Sequence, residues 1–225
     1  MDKGHMKAML AQAGLPVGPY EVVTPREWRI DPAGSRARIE SLGYPLFVKP
    51  CRAGSSVGIS RVTTPGGLDA AIAEAQRWDP RIIVEAAVVG GREIECGVLV
   101  DETGQPRASV CAEITVGAEH DFYDFEAKYL DDAAELTVPA DLNPDVAREV
   151  QDLAVRAFEV LDCEGLARVD FFVTPDRVWL NEVNTMPGFT PISLFPRMWA
   201  ASGIEYAELV DMLVADALRK GTGLR

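Results

Sequence analysis

A chain of 225 residues with 35 acidic and 22 basic side chains carries a formal charge of −13, which repels nucleic-acid backbones and anionic membrane surfaces. Hydrophobic residues at 48% and charged residues at 25% exclude a disordered chain and leave room for one large domain or two small ones. Cys51, Cys96, Cys111 and Cys163 are dispersed, with no CxxC pair and few histidines, which argues against zinc and fits reduced thiols in a cytoplasmic protein. No apolar run reaches the length of a bilayer span, and the amino terminus lacks the uninterrupted apolar core of a signal peptide.

In chain order, Lys3 to Ala13 has helical composition and stops at Gly14 ahead of Pro16. After a connection containing Pro and Gly, Tyr44–Lys49 is a compact apolar strand ended by Pro50. Cys51–Ile59 (CRAGSSVGI) is then a small-residue loop whose glycines would let backbone N–H groups surround phosphate oxygens. Its serines add hydroxyls, and Lys49 adds positive charge at its edge. A plain hairpin turn has the same composition, and neither GxxxxGK[ST] nor GxGxxG order is present. Pro65–Trp78 places Leu68, Ala71, Ile72 and Ala75 at helical spacing. Ile82–Val88, Ile94–Val100 and Ala108–Ile114 follow as strands with turns and no helices between them, which implies an antiparallel sheet. Gly117–Asp132 is polar but carries Phe122, Tyr123, Phe125, Lys128 and Tyr129, the composition of a lid or equally of an aromatic-anchored surface loop. Asn143-Pro144 opens a helix whose apolar stripe runs from Val146 to Leu161, and Ile204–Lys220 is a closing helix.

The most informative stretch is Ala167–Val173, Thr174–Arg177 and Val178–Asn184, which reads as a β-hairpin. Alternation along strands puts Arg168 and Asp170 on one face of the first strand, and Glu182 and Asn184 on one face of the second. Should those faces coincide, three oxygen ligands suited to a hard cation such as Mg²⁺ converge beside a guanidinium that would face an anion. A solvated sheet face with one Arg–Asp pair reads the same way. Beyond Asn184, Gly188 can bring a backbone N–H close to a reacting carbonyl oxygen. No Ser–His–Asp or Cys–His arrangement is present.

The segments FVKPCRAGSSVGISRV, VEAAVVGGREIECGVL, FYDFEAKYLDDAAELTVPADL, GLARVDFF and LNEVNTMPGFTPIS together resemble motifs of the ATP-grasp superfamily, and within it the D-alanine–D-alanine ligases, over nearly the whole chain. The resemblance implies an α+β fold of two subdomains, residues 1–81 and residues 82–225, gripping ATP between antiparallel sheets. It implies that Lys3 and Lys49 contact ATP, that Ser55 and Ser56 lie in the loop covering its phosphates, and that Glu85, Ala86 and Val88 line the adenine pocket. The turn Val88–Gly91 is a residue longer than usual, which leaves the register at Val88 open. Glu93 matches the acid that binds ribose hydroxyls, and Lys128 and Tyr129 fall in the active-site loop. Asp170, Glu182 and Asn184 match the ligands of two magnesium ions, replaceable by Mn²⁺, with Glu182 bridging. Arg168, Gly188, Tyr129 and Ser55 take the catalytic positions, and Ser193 and Leu194 those that hold the second substrate's carboxylate.

The implied reaction is ATP-dependent joining of two D-alanines through an acylphosphate to give D-alanyl-D-alanine for peptidoglycan synthesis. Tyr129 at its position favours an amine over a hydroxyl acceptor. The alternatives are another ATP-grasp carboxylate–amine ligase or a non-catalytic ATP-binding module. Family members carry a further amino-terminal domain of about a hundred residues that supplies a glutamate for the first D-alanine. The resemblance starts after it, so the expectation is that this polypeptide alone binds Mg·ATP but makes dipeptide poorly or not at all. A homodimer is expected when that domain is present.

Overall fold

A computed structural model describes residues 1–116 and 134–220, and the expected active-site loop with Lys128 and Tyr129 lies outside the described residues. The chain divides into two units. The first contains Met1–Ala8 and Val17–Gly90. It holds the start of α1 (Lys3–Gln12), then β1 (Tyr20–Val23), α2 (Pro25–Ile30), α3 (Pro32–Glu40), β2 (Leu46–Pro50), β3 (Ser60–Val62), a 3₁₀ turn (Pro65–Gly67), α4 (Leu68–Gln76) and β4 (Ile82–Ala86). The strands form a four-stranded sheet in the order β1-β4-β2-β3, antiparallel throughout.

Strand β1 and helices α2 and α3 occupy the stretch that composition reads as a connection, and local chemistry explains the first of those helices. Pro25 sits in the first turn of α2, and Thr24 and Glu27 close a capping box: Glu27 N donates to Thr24 Oγ1 at 3.2 Å, and Thr24 N donates to Glu27 Oε2 at 2.9 Å. The β2 burial pattern alternates, so Leu46 and Val48 face the helices while Phe47 and Lys49 face the other way. Val23, Ile82, Val84 and Val62 join them in a core with Ile39, Leu68, Ala71, Ile72 and Ala75. Each fully buried aliphatic side chain there contributes about 1.5–3 kcal/mol.

The division expected after Arg81 is corrected by this pairing. Strand β4 begins at Ile82 and pairs with both β1 and β2, so it belongs to the first sheet, and the unit runs on to Gly90.

The second unit carries β5 (Arg92–Val100), all but the last residue of β6 (Pro106–Val116), the end of β7 (Ala134–Thr137), α5 (Pro144–Val160), β8 (Leu166–Val173), β9 (Val178–Asn184), α6 (Leu194–Ala201) and α7 (Tyr206–Lys220). Its sheet runs β7-β6-β5-β8-β9. Asn143 caps α5 by accepting from Asp145 N at 2.9 Å, and the helix buries Val150, Leu153, Ala154, Ala157 and Phe158. Helix α5 packs on β5, β8 and β9. In β8 the residues Ala167, Val169, Phe171 and Val173 are buried and alternate with Arg168, Asp170 and Phe172. Phe195 and Trp199 of α6 pack with Leu99, Ile204 and Leu209. Their close approach requires glycine at 97, where a Cβ would stand 3.0 Å from Trp199 Nε1 and 3.1 Å from Phe195 Cε2.

Candidate functional site

The hairpin of β8 and β9 brings the predicted ligand set together, and it needs an irregularity to do so. Strict alternation along β9 would place Glu182 and Asn184 on the same side as Val178 and Leu180, which are buried. The register runs Phe171↔Leu180 and then Asp170↔Glu182, so Asn181 is bulged out and the face switches. Val183 thereby takes the buried side opposite Val169, while Glu182 and Asn184 stand opposite Asp170 and Arg168.

On that face Arg168 grips Asp170 as a fork, Nε donating to Oδ1 and Nη2 to Oδ2, both at 2.7 Å. Arg168 Nε also lies 3.1 Å from Glu95 Oε2, on the neighbouring strand β5. Asn184 Nδ2 donates to Asp170 Oδ2 at 2.8 Å and sits 3.5 Å from Glu182 Oε1. Burial would lower the pKa of Arg168, but Asp170, Glu95 and Glu182 reverse this and raise it well beyond its ordinary value. The guanidinium is therefore permanently charged and held in place by Asp170 and Glu95. Such a group stabilises an anion that develops beside it.

The same face offers oxygen donors to a cation. Among the described residues no cluster of three or more His, Cys, Asp or Glu could hold a metal ion, so a cation here rests on two carboxylates and the Asn184 amide. Asp170, Glu182 and Asn184 supply hard oxygens from adjacent positions, and rotating the Asn184 amide would turn its oxygen toward Asp170. That donor chemistry fits Mg²⁺. Glu95 was missed by sequence reasoning. Its signal was the alternation Glu93, Glu95, Gly97 along β5, which continues the face of Arg168 and Asp170.

Gly188, Ser193 and Leu194 lie beyond the hairpin. Thr190 N donates to Ser193 Oγ at 3.1 Å, Ser193 N donates to Thr190 O at 2.9 Å, and the two hydroxyls stand 2.9 Å apart. Ser193 precedes α6 but does not cap it with its side chain, because the hydroxyl serves Thr190 instead. Tyr206 OH donates to Phe189 O at 2.9 Å and ties the segment to α7.

The first unit gathers Lys49 and Glu85 on the sheet face opposite its core, where Phe47 and Glu85 are register partners. Glu85 is 6% exposed and its carboxylate lies between two ammonium groups, Lys49 Nζ at 2.5 Å and Lys7 Nζ at 2.6 Å. Burial alone would raise the pKa of Glu85; Lys49 and Lys7 overcome it and pull the group down to about 2. Lys7 was also missed, although its spacing of four from Lys3 puts both on one side of α1. Ala86 N donates to Pro19 O and Ala87 N to Pro45 O, both at 3.0 Å, and Val88 is half-buried just past the strand. Glu93 stands on β5 of the second unit, opposite Ile114 and Phe172.

Cys51–Ile59 connects β2 and β3, as the hairpin-turn reading required, but its backbone is unusual. Ser55 and Ser56 adopt left-handed φ angles of 51° and 58°, a conformation costing about 1–2 kcal/mol per non-glycine residue. Gly58 has φ 71°, and a Cβ there would meet Trp78 Cδ1 at 2.5 Å. The loop is pinned at its start: Lys3 Nζ donates to Ala53 O at 2.8 Å, and Arg52 grips Asp79 through Nε at 2.8 Å and Nη2 at 2.7 Å. The Arg52 hydrogen bonds hold the Asp79 carboxyl below its ordinary pKa.

The fold is ATP-grasp, with two separate α+β units built on antiparallel strands. The family described as D-ala D-ala ligase C-terminus matches residues 9–215, and the chain belongs to that family. It is 58% identical to a D-alanine–D-alanine ligase of Streptomyces griseus subsp. griseus, covering all of this chain and 58% of the relative. It is 58% identical to one of Kineococcus radiotolerans, covering all of this chain and 61% of that relative. The chain thus spans 58–61% of the length of these curated relatives. The solved structure of the D-alanine–D-alanine ligase from Coxiella burnetii is similar with a TM-score of 0.83 at 38% identity, over 98% of this chain and 57% of that one. The VanG D-Ala:D-Ser ligase from Enterococcus faecalis is similar with a TM-score of 0.83 at 34% identity, over 95% of this chain and 60% of that one.

Proposed function

We propose that this chain is the nucleotide-binding and catalytic body of an ATP-dependent, ADP-forming ligase that joins two D-alanines into D-alanyl-D-alanine for peptidoglycan synthesis. One observation carries the reading. The Arg168, Asp170, Glu182 and Asn184 cluster lies on paired strands of a chain 58% identical along its whole length to D-alanine–D-alanine ligases.

In this reading the carboxylate of one D-alanine attacks the γ-phosphorus of ATP and ADP leaves. The amine of the second D-alanine then attacks the acyl carbon, and inorganic phosphate leaves. Lys3 and Lys49 hold the nucleotide, and the left-handed backbone at Ser55 and Ser56 turns N–H groups toward its phosphates. Glu85, Ala86 and Val88 receive adenine, and Glu93 receives the ribose hydroxyls. Asp170, Glu182 and Asn184 would hold two Mg²⁺ ions, or Mn²⁺ in their place, which supply charge neutralisation for the transferring phosphoryl group. Arg168 and the N–H of Gly188 face the oxyanion at the acyl carbon, an interaction worth about 3–4 kcal/mol per donor. Lys128 and Tyr129 belong to the active-site loop, and Ser193 and Leu194 hold the acceptor's carboxylate. The setting is the cytoplasm, and the assembly a homodimer.

D-serine is the second acceptor to test, since one structural relative is a D-Ala:D-Ser ligase at 34% identity. The experiment is amino-acid-dependent ADP release, run with this chain alone and with the remaining segment of a relative supplied in trans. Release triggered by D-alanine, with dipeptide as product, supports the proposal. Release that needs D-serine together with D-alanine, with the mixed dipeptide as product, moves it to the second acceptor, and no release with either amino acid or with both refutes the ligase reading.

A further inference from the structure

None of the roles above uses Lys7. It is 4% exposed, and its ammonium meets Glu85 Oε1 at 2.6 Å while Lys49 meets Oε2 at 2.5 Å. A buried lysine is costly unless it is paired, so the cluster is built around a carboxylate shared by two cations. Glu85 with Lys49 alone sums to zero, whereas Lys7, Glu85 and Lys49 sum to +1. The chain as a whole carries −13, so local positive charge is what a polyanion would need here.

We propose that Lys7 is a positioning residue for the nucleotide: by taking one oxygen of Glu85, it leaves Lys49 its positive charge for the phosphates of a nucleoside triphosphate. The inference rests on the reading of Lys49 as an ATP contact and adds to it a residue that acts only through Glu85. Removing Lys7 gives the whole Glu85 carboxylate to Lys49, which lowers the local charge by one and draws the Lys49 ammonium toward the carboxylate.

The test is calorimetric titration of this chain with Mg·ATP and with adenosine, comparing native protein, Lys7→Met, Lys7→Gln and Lys7→Arg, each checked for fold by circular dichroism. Lys7→Met is expected to weaken Mg·ATP binding by at least about tenfold and Lys7→Arg by no more than about threefold. Adenosine carries no phosphate, so its affinity for Lys7→Met should stay within about threefold of native. A structural role for Lys7 would weaken both ligands alike. Native-like Mg·ATP binding by Lys7→Met overturns the inference, and so does an equal loss for adenosine. Should Lys7→Met fail to fold, Lys7→Gln decides by the same two titrations: Mg·ATP must weaken at least about tenfold while adenosine stays within about threefold, and any other result overturns it. Absence of binding by the native chain refutes the ATP-contact reading of Lys49 and takes the inference with it.

Discussion

Replacing Glu85 with Gln keeps the shape of the side chain and removes the charge that stands between Lys7 and Lys49. In the folded protein burial would raise the pKa of this group, but the two lysines bring it from 4.5 to about 2. The folded value lies below the unfolded one, so as pH falls the unfolded chain takes up the proton first. The ionised side chain therefore contributes stability that is fully present above the unfolded value and is lost as pH falls toward the folded value. A gap of about 2.5 between the two values corresponds to about 3 kcal/mol at neutral pH, of which about 2 kcal/mol is gone by about pH 3. Urea unfolding of native protein and Glu85→Gln at a series of pH values measures this directly. The native-minus-variant difference in unfolding free energy should stay level down to about pH 5 and then fall by about 2 kcal/mol by about pH 3. A difference that stays flat across that window would refute the argument that Lys7 and Lys49 hold Glu85 ionised in the fold.

Gly97→Ala forces a Cβ to within 3.0 Å of Trp199 Nε1 and 3.1 Å of Ser109 Oγ, so differential scanning fluorimetry should show a lower Tm from a loss of about 1–3 kcal/mol. Thr24→Ala removes the hydroxyl that accepts from Glu27 N in the α2 capping box, leaves the backbone N–H that donates to Glu27, and should cost about 1 kcal/mol in urea unfolding, with no change in nucleotide affinity. Arg168→Lys keeps the charge but loses the fork that spans both Asp170 oxygens while touching Glu95. Ligase turnover should fall about 10²–10³-fold with the circular dichroism spectrum unchanged, and turnover within about threefold of native would exclude the assigned role.

The hairpin was legible because β-branched and aromatic residues at period two leave little choice but a strand, and because Thr174–Arg177 has turn chemistry. Periodicity alone could not bring its two polar faces together. The bulge at Asn181 does that, and a bulge is a property of pairing between strands rather than of either strand's composition. Helix α5 was legible for the complementary reason: an Asn-Pro start and a long apolar stripe satisfy local and tertiary demands at once. The short elements Tyr20–Val23, Pro25–Ile30 and Pro32–Glu40 were not, since a few residues between prolines carry too little pattern even with a capping box at Thr24.

The site residues divide along the same line. Those in dense local motifs, Arg168 with Asp170 and Glu182 with Asn184, could be named from spacing. Lys7 and Glu95 could not, because each acquires its meaning from a carboxylate or guanidinium contributed by a distant strand. The limit of the first unit was misplaced by the same ignorance of partners: Ile82–Ala86 reads as any buried strand, and only its pairing with β1 and β2 assigns it to the first sheet.

The proposed reaction activates a D-alanine carboxylate by phosphorylation before an amine displaces the phosphate. The most direct test starts with D-alanine carrying ¹⁸O in its carboxylate, Mg·ATP and this chain under conditions where ADP is released, and follows the label by mass spectrometry of the inorganic phosphate. An acylphosphate route moves one carboxylate oxygen into phosphate for each dipeptide formed, so ¹⁸O-phosphate should accumulate in step with D-alanyl-D-alanine. Phosphate that carries no carboxylate label while dipeptide forms would contradict the account.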